Sequence, residues 1–244
     1  MAKIPIKPEE IFKEITDDFK KIFGEELLSV VLYGSGARGD YIPGKSDINF
    51  LIILTDAGID DVAKAMETVT RWRKRHVAIP LFMTRDYVLS SLDSYPVEFL
   101  NMKRHYTLVF GEDILALLSF QPNDLRLQVE RELKAKILHL RKGYLESEGR
   151  EKRLREIIKA SLTAFIALFN ALLTLKQEVV PDTIREVIQA AAPVFGIDAS
   201  VFMKCADVRE GRDRLASAEI QALFHDYLQE VNRLCGFVDR LKTD

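Results

Sequence analysis

The chain has few of the residues that build metal clusters or disulfide frameworks. Its 244 residues include two cysteines, four histidines and one tryptophan. Cys205 and Cys235 lie far apart in sequence, without a CxxC spacing or a histidine cluster beside them. This spacing does not indicate a metal site, and it favours reduced thiols over a disulfide. We expect both cysteines to be reduced thiols in the core.

An excess of charge of one sign is also absent, as is a long hydrophobic run. The 35 Lys and Arg nearly balance the 37 Asp and Glu, for a net charge of -2, which argues against general binding to nucleic acid or anionic membranes. The most apolar stretch, Ala160 to Leu175, is shorter than the ~20 residues that span a bilayer. It predicts a buried helix. The first residues lack the apolar run of a secretion signal, so we expect a cytoplasmic protein.

The first half of the chain alternates helical and strand patterns. Residues 8–23 carry apolar residues at helical spacing, and residues 58–75 do so again. Short apolar, β-branched runs between and after them indicate strands, with Pro80 interrupting the third. The predicted strands are Leu28 to Tyr33, Ile48 to Leu54, Val77 to Met83 and Tyr106 to Phe110. This order favours an α/β (α+β) domain with a mixed sheet.

The second half is helical throughout. From about Asp124 the apolar residues recur with the 3.6-residue period, and Pro181 and Gly196 stand at the joints. Pro122 and Asn123 supply a breaker and a helix cap just before this change. The sequence therefore predicts a first domain at residues 1–120 and an all-α helical bundle at residues 124–244. A homo-oligomer or a partner protein could use the exposed surface of that bundle.

A polar loop joins the first two predicted strands. It begins with Gly34-Ser35-Gly36, and glycines there let the backbone turn sharply and approach a ligand closely. Free amides and the Ser35 hydroxyl in such a turn can donate to phosphate oxygens. Arg38 and Lys45 can add positive charge. On these residues alone, an ordinary turn between strand and helix remains the simpler interpretation.

The residues after the loop strengthen the functional interpretation. Ser46-Asp47-Ile48-Asn49 leads into the second strand, so Asp47 and Asn49 are two residues apart and share one strand face. The segment YGSGARGDYIPGKSDINFLII resembles the signature of the nucleotidyltransferase superfamily related to DNA polymerase beta. The run Val109 to Leu115, followed by helices, is similar in layout to aminoglycoside-type nucleotidyltransferases.

The resemblance implies a nucleoside triphosphate (NTP) held at Gly34, Ser35, Arg38, Lys45 and Ser46. It also implies two Mg²⁺ ions bound by three carboxylates, two from an Asp-x-Asp pair and one from a later strand. Here Asp47 fills the first position and Asn49 the second. The predicted strand Val77 to Met83 contains no carboxylate. Glu98, in an apolar segment that could be a strand, is a weak substitute.

Three functions follow from this pattern. The first is a nucleotidyltransferase homologue with a depleted metal site that keeps a nucleotide-binding, sensing or structural role as a pseudoenzyme. The second is an active Mg²⁺-dependent enzyme that moves a nucleoside monophosphate to a hydroxyl of a small molecule or protein, with Asn49 and Glu98 as ligands. The third is an interaction module that acts through the helical bundle. The missing carboxylates favour the first. His76 is interpreted as a solvated helix end.

Overall fold

The computed structural model describes residues 3–242 and divides the chain into two compact units. The first comprises the residues up to Leu92 together with Phe99–Ser119. The second comprises Asp93–Glu98 and the residues from Phe120 onward. The sequence-based division instead assigns the segment 93–98 to the first domain. That the two units are separate folding domains remains a prediction.

The first unit is built on a mixed four-stranded sheet. The strands are β1 (Leu27–Tyr33), β2 (Asn49–Leu54), β3 (Leu81–Thr84) and β4 (Tyr106–Gly111). Their spatial order is β3-β2-β1-β4, with β1 antiparallel to both β2 and β4, and β3 parallel to β2. The two strands that flank the Gly34 loop, β1 and β2, are therefore the central pair. Both ends of that loop are fixed by buried, hydrogen-bonded backbone.

Helix α1 (Phe12–Phe23) covers one face of this sheet. A short 3-10 turn, Pro8–Ile11, precedes it, and Gly24 ends it with a positive φ of 55°. Its apolar face packs with alternate residues of β1 and β2 into one core. The fully buried members of that face are Ile11, Ile15 and Phe19. The sequence predicted this helix because its apolar spacing and its glycine stop are both local signals.

The prediction of one continuous helix over residues 58–75 is wrong. The chain forms α3 (Asp56–Asp60), a 3-10 turn (Val62–Ala65) and α4 (Met66–Arg73) instead. The Thr55 hydroxyl accepts from the Gly58 amide and so starts α3 earlier than the apolar pattern indicates. Only Ala65 and Trp72 in this stretch are buried in the core cluster. Tertiary packing thus selects short pieces rather than one helix.

The third strand is shorter than predicted. Val77 forms only an isolated parallel bridge with Ile48, and regular pairing resumes at Leu81. Pro80 lies between these two points and has no amide to donate, so the ladder is interrupted there.

The first unit also contains the short helices α2 (Ser35–Arg38) and α5 (Arg85–Ser90). The segment around Glu98 differs from the sequence-based expectation that it could be a strand. It is helical, in α6 (Pro96–Arg104), and not a strand, because Pro96 is well suited to the first turn of a helix.

The second unit consists mainly of long helices around an apolar core. They are α7 (Pro122–Ser147), α8 (Glu151–Leu175), α9 (Ile184–Phe195), α10 (Ala199–Glu210) and α11 (Ser217–Asp239). Asp198 caps the start of helix α10, since its carboxylate accepts from the Ser200 amide. The predicted fold class is confirmed: a mixed sheet with helices comes first and a helical region follows.

Two features of the second unit bear on the sequence-based expectations. Among the described residues, α8 is the one helix long and apolar enough to cross a membrane, and half of its most apolar window is buried inside the protein. A core helix of a globular unit has the same composition, so this helix is weak evidence for a span. Cys205 and Cys235 are both buried free thiols. Burial raises the pKa of each.

Candidate functional site

The Gly34 turn joins β1 to α2 in a backbone conformation that only glycine adopts readily. Gly34 has φ 75° and ψ -146°, and its carbonyl accepts from the amides of Ala37 and Arg38. Gly36 is also closely packed, since a Cβ there would lie 3.3 Å from Cγ of Pro8. The first amides of α2, at Ser35 and Gly36, precede the hydrogen-bonded turn and have no acceptor within the helix. The turn therefore offers two adjacent amides and one hydroxyl to a ligand.

Asn49 is the nearest side chain to this turn from the neighbouring strand. It pairs with Tyr33 in the β1–β2 register, directly before Gly34. Its Nδ2 lies 3.2 Å from the position that a Cβ on Gly34 would occupy, and the same nitrogen donates to the Asp47 carbonyl at 3.3 Å. Asn49 is half-buried, whereas the Asp47 carboxylate is 66% exposed. The structure thus places Asn49 against the glycine turn and in contact with the main chain of Asp47.

His76 stands beside Asp47 on the next segment of the sheet. Its Nδ1 is 3.9 Å from Oδ1 of Asp47. The backbone at His76 is left-handed, with φ 61°, and its carbonyl accepts from the Ile48 amide at 2.8 Å. The interpretation of His76 as a solvated helix end missed this contact. The contact depends on a parallel bridge between Ile48 and Val77, residues far apart in sequence.

The bridge between Ile48 and Val77 also shows which residue lies beside Asn49 on the neighbouring segment. Ile48 and Val77 are both buried in the core beneath the sheet, so the residues that follow them point to the opposite face. Ala78 is therefore the residue beside Asn49 on the third segment. Of the four side chains Asp47, Asn49, His76 and Ala78, one is a carboxylate. Among residues 3–242, no group of three or more His, Cys, Asp or Glu is arranged to hold a metal ion.

The loop between the turn and Asp47 is held by its own hydrogen bonds. The Ser46 hydroxyl accepts from the Ile42 amide at 3.1 Å, so it closes the loop. Arg38 donates to Asp40 at 3.2 Å, and both side chains are substantially exposed. Lys45 is exposed. Exposed ion pairs of this kind contribute little stability. Arg38 can therefore release Asp40 and bind a more highly charged anion instead.

Two tyrosines, one at the end of β1 and one at the start of β4, were not predicted. Tyr33 pairs with Tyr106 across β1 and β4, one residue before Gly34. The Tyr106 hydroxyl donates to the Asp113 carboxylate at 2.8 Å, and burial together with this carboxylate raises the pKa of Tyr106 to about 12. Burial raises the pKa of Tyr33 as well. A tyrosine before a glycine turn carries no functional signal in sequence, so these residues could not be singled out.

Glu98 lies in a different setting from the one expected. It is on α6, in the short segment that belongs to the second unit. Its carboxylate accepts from Nε2 of Gln128 at 2.6 Å, and Oε1 of the same glutamine accepts from the Val97 amide. Gln128 is buried. The carboxylate thus takes part in the contact between α6 and α7.

Comparison with known proteins shows what the first unit is similar to. Residues 12–104 match the family model described as "Nucleotidyltransferase domain". These residues, most of them in the first unit, are therefore similar to nucleotidyltransferase domains. The match covers the glycine turn, Asp47, Asn49 and His76. The resemblance drawn from the loop sequence is confirmed.

Two relatives extend the comparison beyond this domain. The chain is 26% identical over 194 residues to the CCA-adding enzyme of Pyrobaculum aerophilum, covering 69% of this chain and 44% of that enzyme. It thus spans less than half the length of this curated relative. The crystal structure of spectinomycin adenyltransferase AAD(9) from Enterococcus faecialis, with ATP and spectinomycin, matches with a TM-score of 0.54 and 12% identity. That match covers 93% of this chain and 98% of the adenyltransferase, and it shows a shared fold.

Proposed function

We propose that the nucleotidyltransferase domain binds a nucleoside triphosphate at the Gly34 turn and has lost most or all of its capacity for nucleotidyl transfer. The observation that carries this proposal is the residue set beside the turn. Asp47 is followed by Asn49 at the start of β2, and His76 and Ala78 flank Val77, which bridges to Ile48. The chain therefore keeps the groups that hold a phosphate and has one carboxylate where transfer chemistry needs several.

Phosphate binding is supported by the backbone of the turn. Adjacent amides at the start of α2, the Ser35 hydroxyl and the guanidinium of Arg38 are all donors to phosphate oxygens. The exposed Lys45 adds a second cation to the loop. ATP is the first nucleotide to test, because the adenyltransferase of similar fold was solved with ATP. The CCA-adding relative makes CTP the natural second probe.

The residues present do not fit a pair of Mg²⁺ ions. Magnesium prefers oxygen ligands, and two such ions bring four positive charges to a site with one carboxylate. An amide oxygen from Asn49 adds a ligand but no charge, and the imidazole of His76 is a nitrogen donor that magnesium disfavours. A role in nucleotide sensing or in holding a nucleotide-dependent conformation fits these residues better than turnover.

Calorimetric titration of the full chain with ATP or CTP, combined with a pyrophosphate assay, tests the proposal. We expect binding with pyrophosphate release at or near background. Sustained pyrophosphate release that requires Mg²⁺ would instead establish the active transferase, with a small molecule or protein hydroxyl as acceptor. Absence of binding by either nucleotide would contradict the proposal and favour an interaction module. Replacement of Ser35 by Ala should weaken binding, whereas Ser94→Ala, on a surface of the second unit, is the matched control.

Partners of the helical unit remain predictions. The near balance of acidic and basic residues still argues against general nucleic-acid binding. Self-association or binding of a partner protein through helices α7–α11 is proposed on architecture alone. Light scattering of the purified chain across a range of concentrations separates these two. Location in the cytoplasm is likewise a prediction.

A further inference from the structure

We propose that Asp47 and His76 together bind a divalent transition ion, such as Mn²⁺, Co²⁺ or Zn²⁺, in preference to Mg²⁺. This inference rests on the proposed function, because phosphate oxygens of the bound nucleotide complete the coordination. It assigns a metal ligand to His76, a residue outside the carboxylate positions of the domain. The site would then carry a nucleotide with an ion different from the one that nucleotidyl transfer uses.

The distance between the two donor atoms supports this assignment. Nδ1 of His76 and Oδ1 of Asp47 are 3.9 Å apart. Zinc bonds to imidazole nitrogen and carboxylate oxygen at about 2.0–2.2 Å, so two ligands at adjacent positions on one ion lie roughly 3.0–3.5 Å apart. Closing the observed gap needs a movement of roughly half an ångström. Both side chains are partly exposed and can make it by small rotations.

Main-chain hydrogen bonds fix the position from which the His76 side chain extends. The Ile48 amide donates to the His76 carbonyl, and the His76 amide donates to the Arg73 carbonyl at 3.2 Å. The left-handed φ of 61° turns the chain from the end of α4 into the bridge with β2. That conformation is uncommon for a residue with a Cβ and is frequent at functional positions. His76 is therefore held next to Asp47 by main-chain bonds on both sides.

The chemistry of the donors decides the preferred ion. A carboxylate, an imidazole and an amide oxygen form a mixed nitrogen and oxygen set, which suits manganese, cobalt or zinc, whereas magnesium requires oxygens. Asn49 is the first residue of β2, two residues after Asp47, and its side-chain nitrogen donates a hydrogen bond to the Asp47 main-chain carbonyl. The triphosphate supplies the remaining oxygens. The protein supplies the carboxylate of Asp47, the imidazole of His76 and the amide oxygen of Asn49. The site therefore depends on the nucleotide to bind an ion tightly.

The experiment uses the full chain, loaded with a non-hydrolysable ATP analogue, and titrates it with Co²⁺, Mn²⁺, Zn²⁺ and Mg²⁺ in turn. Calorimetry gives each affinity, and the visible absorption of Co²⁺ reports whether nitrogen joins its ligands. We expect the transition ions to bind at least ~10-fold more tightly than Mg²⁺. His76→Gln should remove at least ~10-fold of the Co²⁺ affinity, a loss of the size that removing a metal-site partner causes, and shift the Co²⁺ spectrum. Mg²⁺ affinity should not fall.

His139→Gln is the matched control, since His139 is an exposed histidine on α7. If His76→Gln does not fold, His76→Asn keeps a residue that tolerates the left-handed backbone and replaces nitrogen by oxygen. Equal affinity for Mg²⁺ and Co²⁺ in the unaltered chain, or an unchanged Co²⁺ spectrum in the His76 variant, overturns the inference. ATP binding is measured first without metal and then with each ion in turn. Absence of ATP binding under every one of these conditions defeats the proposed function, whereas ATP binding with no metal preference defeats only the inference.

Discussion

At the level of the single residue, two separate structural constraints require that Gly34 be a glycine. Its φ of 75° with ψ of -146° lies in a region that side chains almost exclude. Any Cβ would in addition lie 3.2 Å from Nδ2 of Asn49, so the side chain of Asn49 would have to shift. The first reason concerns folding and the second concerns the site. Two glycines in the same unit allow them to be separated.

Gly34→Ala should lower ATP affinity by at least ~10-fold, which is ~1.4 kcal/mol of binding free energy, because it moves Asn49 and the amides of the turn. Gly24→Ala is the control. Gly24 has a similar backbone, φ 55° and ψ -124°, and a Cβ there meets nothing within 4 Å. Each variant should lose about 1–3 kcal/mol of unfolding free energy from backbone strain. Equal ATP affinities in the two variants, measured by calorimetry, would place the nucleotide elsewhere.

Asn49 differs from an aspartate by one charge at nearly constant shape. Asn49→Asp should raise Mg²⁺ affinity in the presence of ATP by about 10-fold or more, because it places a second carboxylate beside Asp47. Pyrophosphate release should remain low, since Ala78 still stands on the third segment. Asn123→Asp, in the second unit, controls for the added charge. Unchanged Mg²⁺ affinity by calorimetry would contradict this assignment of the site.

At the level of elements, the pairing of β1 with β4 depends on another glycine. Gly111 has φ 83°, and a Cβ there would lie 1.9 Å from the Leu28 carbonyl oxygen. The Glu112 amide donates to that same carbonyl, and the Ser29 hydroxyl donates to the Glu112 carbonyl. This close approach holds the end of β4 against the central strand. It positions the opposite end of the pair, where Tyr33 and Tyr106 meet before the glycine turn.

Gly111→Ala should therefore destabilise the first unit strongly. We expect a loss of more than ~3 kcal/mol in urea unfolding, because strain at positive φ adds to a clash with backbone that cannot move freely. Gly39→Ala has the same φ of 83°, but nothing lies within 4 Å of its Cβ position. It should lose about 1 kcal/mol. Comparable losses in the two variants would mean that the contact with Leu28 relaxes easily.

The elements also show which structural signals are local. Helix α1 follows from its apolar spacing and from Gly24, both visible in sequence. The break between α3 and α4 and the helical segment around Glu98 do not follow from spacing. In the first, packing of Ala65 and Trp72 against the sheet overrides the continuous pattern. In the second, an apolar run of six residues is compatible with either state.

At the level of the whole molecule, the raised pKa of Tyr106 predicts a stability that falls at alkaline pH. The folded protein keeps the Tyr106 proton up to about pH 12, whereas a free tyrosine loses it near pH 10. Between these values the unfolded chain releases a proton that the folded chain retains, so unfolding becomes more favourable as pH rises. Stability from this group is complete below about pH 10 and is lost through about pH 12.

Tyr106→Phe removes this titration. The variant should be less stable than the unaltered chain at pH 8, because Asp113 loses a hydrogen bond, but its stability should fall less between pH 10 and 12. Chemical denaturation at several pH values measures both effects. Tyr87→Phe, at an exposed tyrosine of the same unit, is the control and should follow the unaltered chain. Parallel curves for the Tyr106 variant and the unaltered chain would contradict the assigned pKa.

The sequence by itself determined the order of the four strands, helix α1, the glycine turn and the Asp47–Asn49 pair. Each depends on residues close together in the chain: a periodic apolar face, a run of β-branched residues, or a loop of fixed length. Only the tertiary structure decided what stands beside that pair. His76 and Ala78 reach it through a parallel bridge to a distant segment, and Glu98 is engaged by Gln128 on α7. Such neighbours follow from strand register and helix packing, which no local pattern encodes.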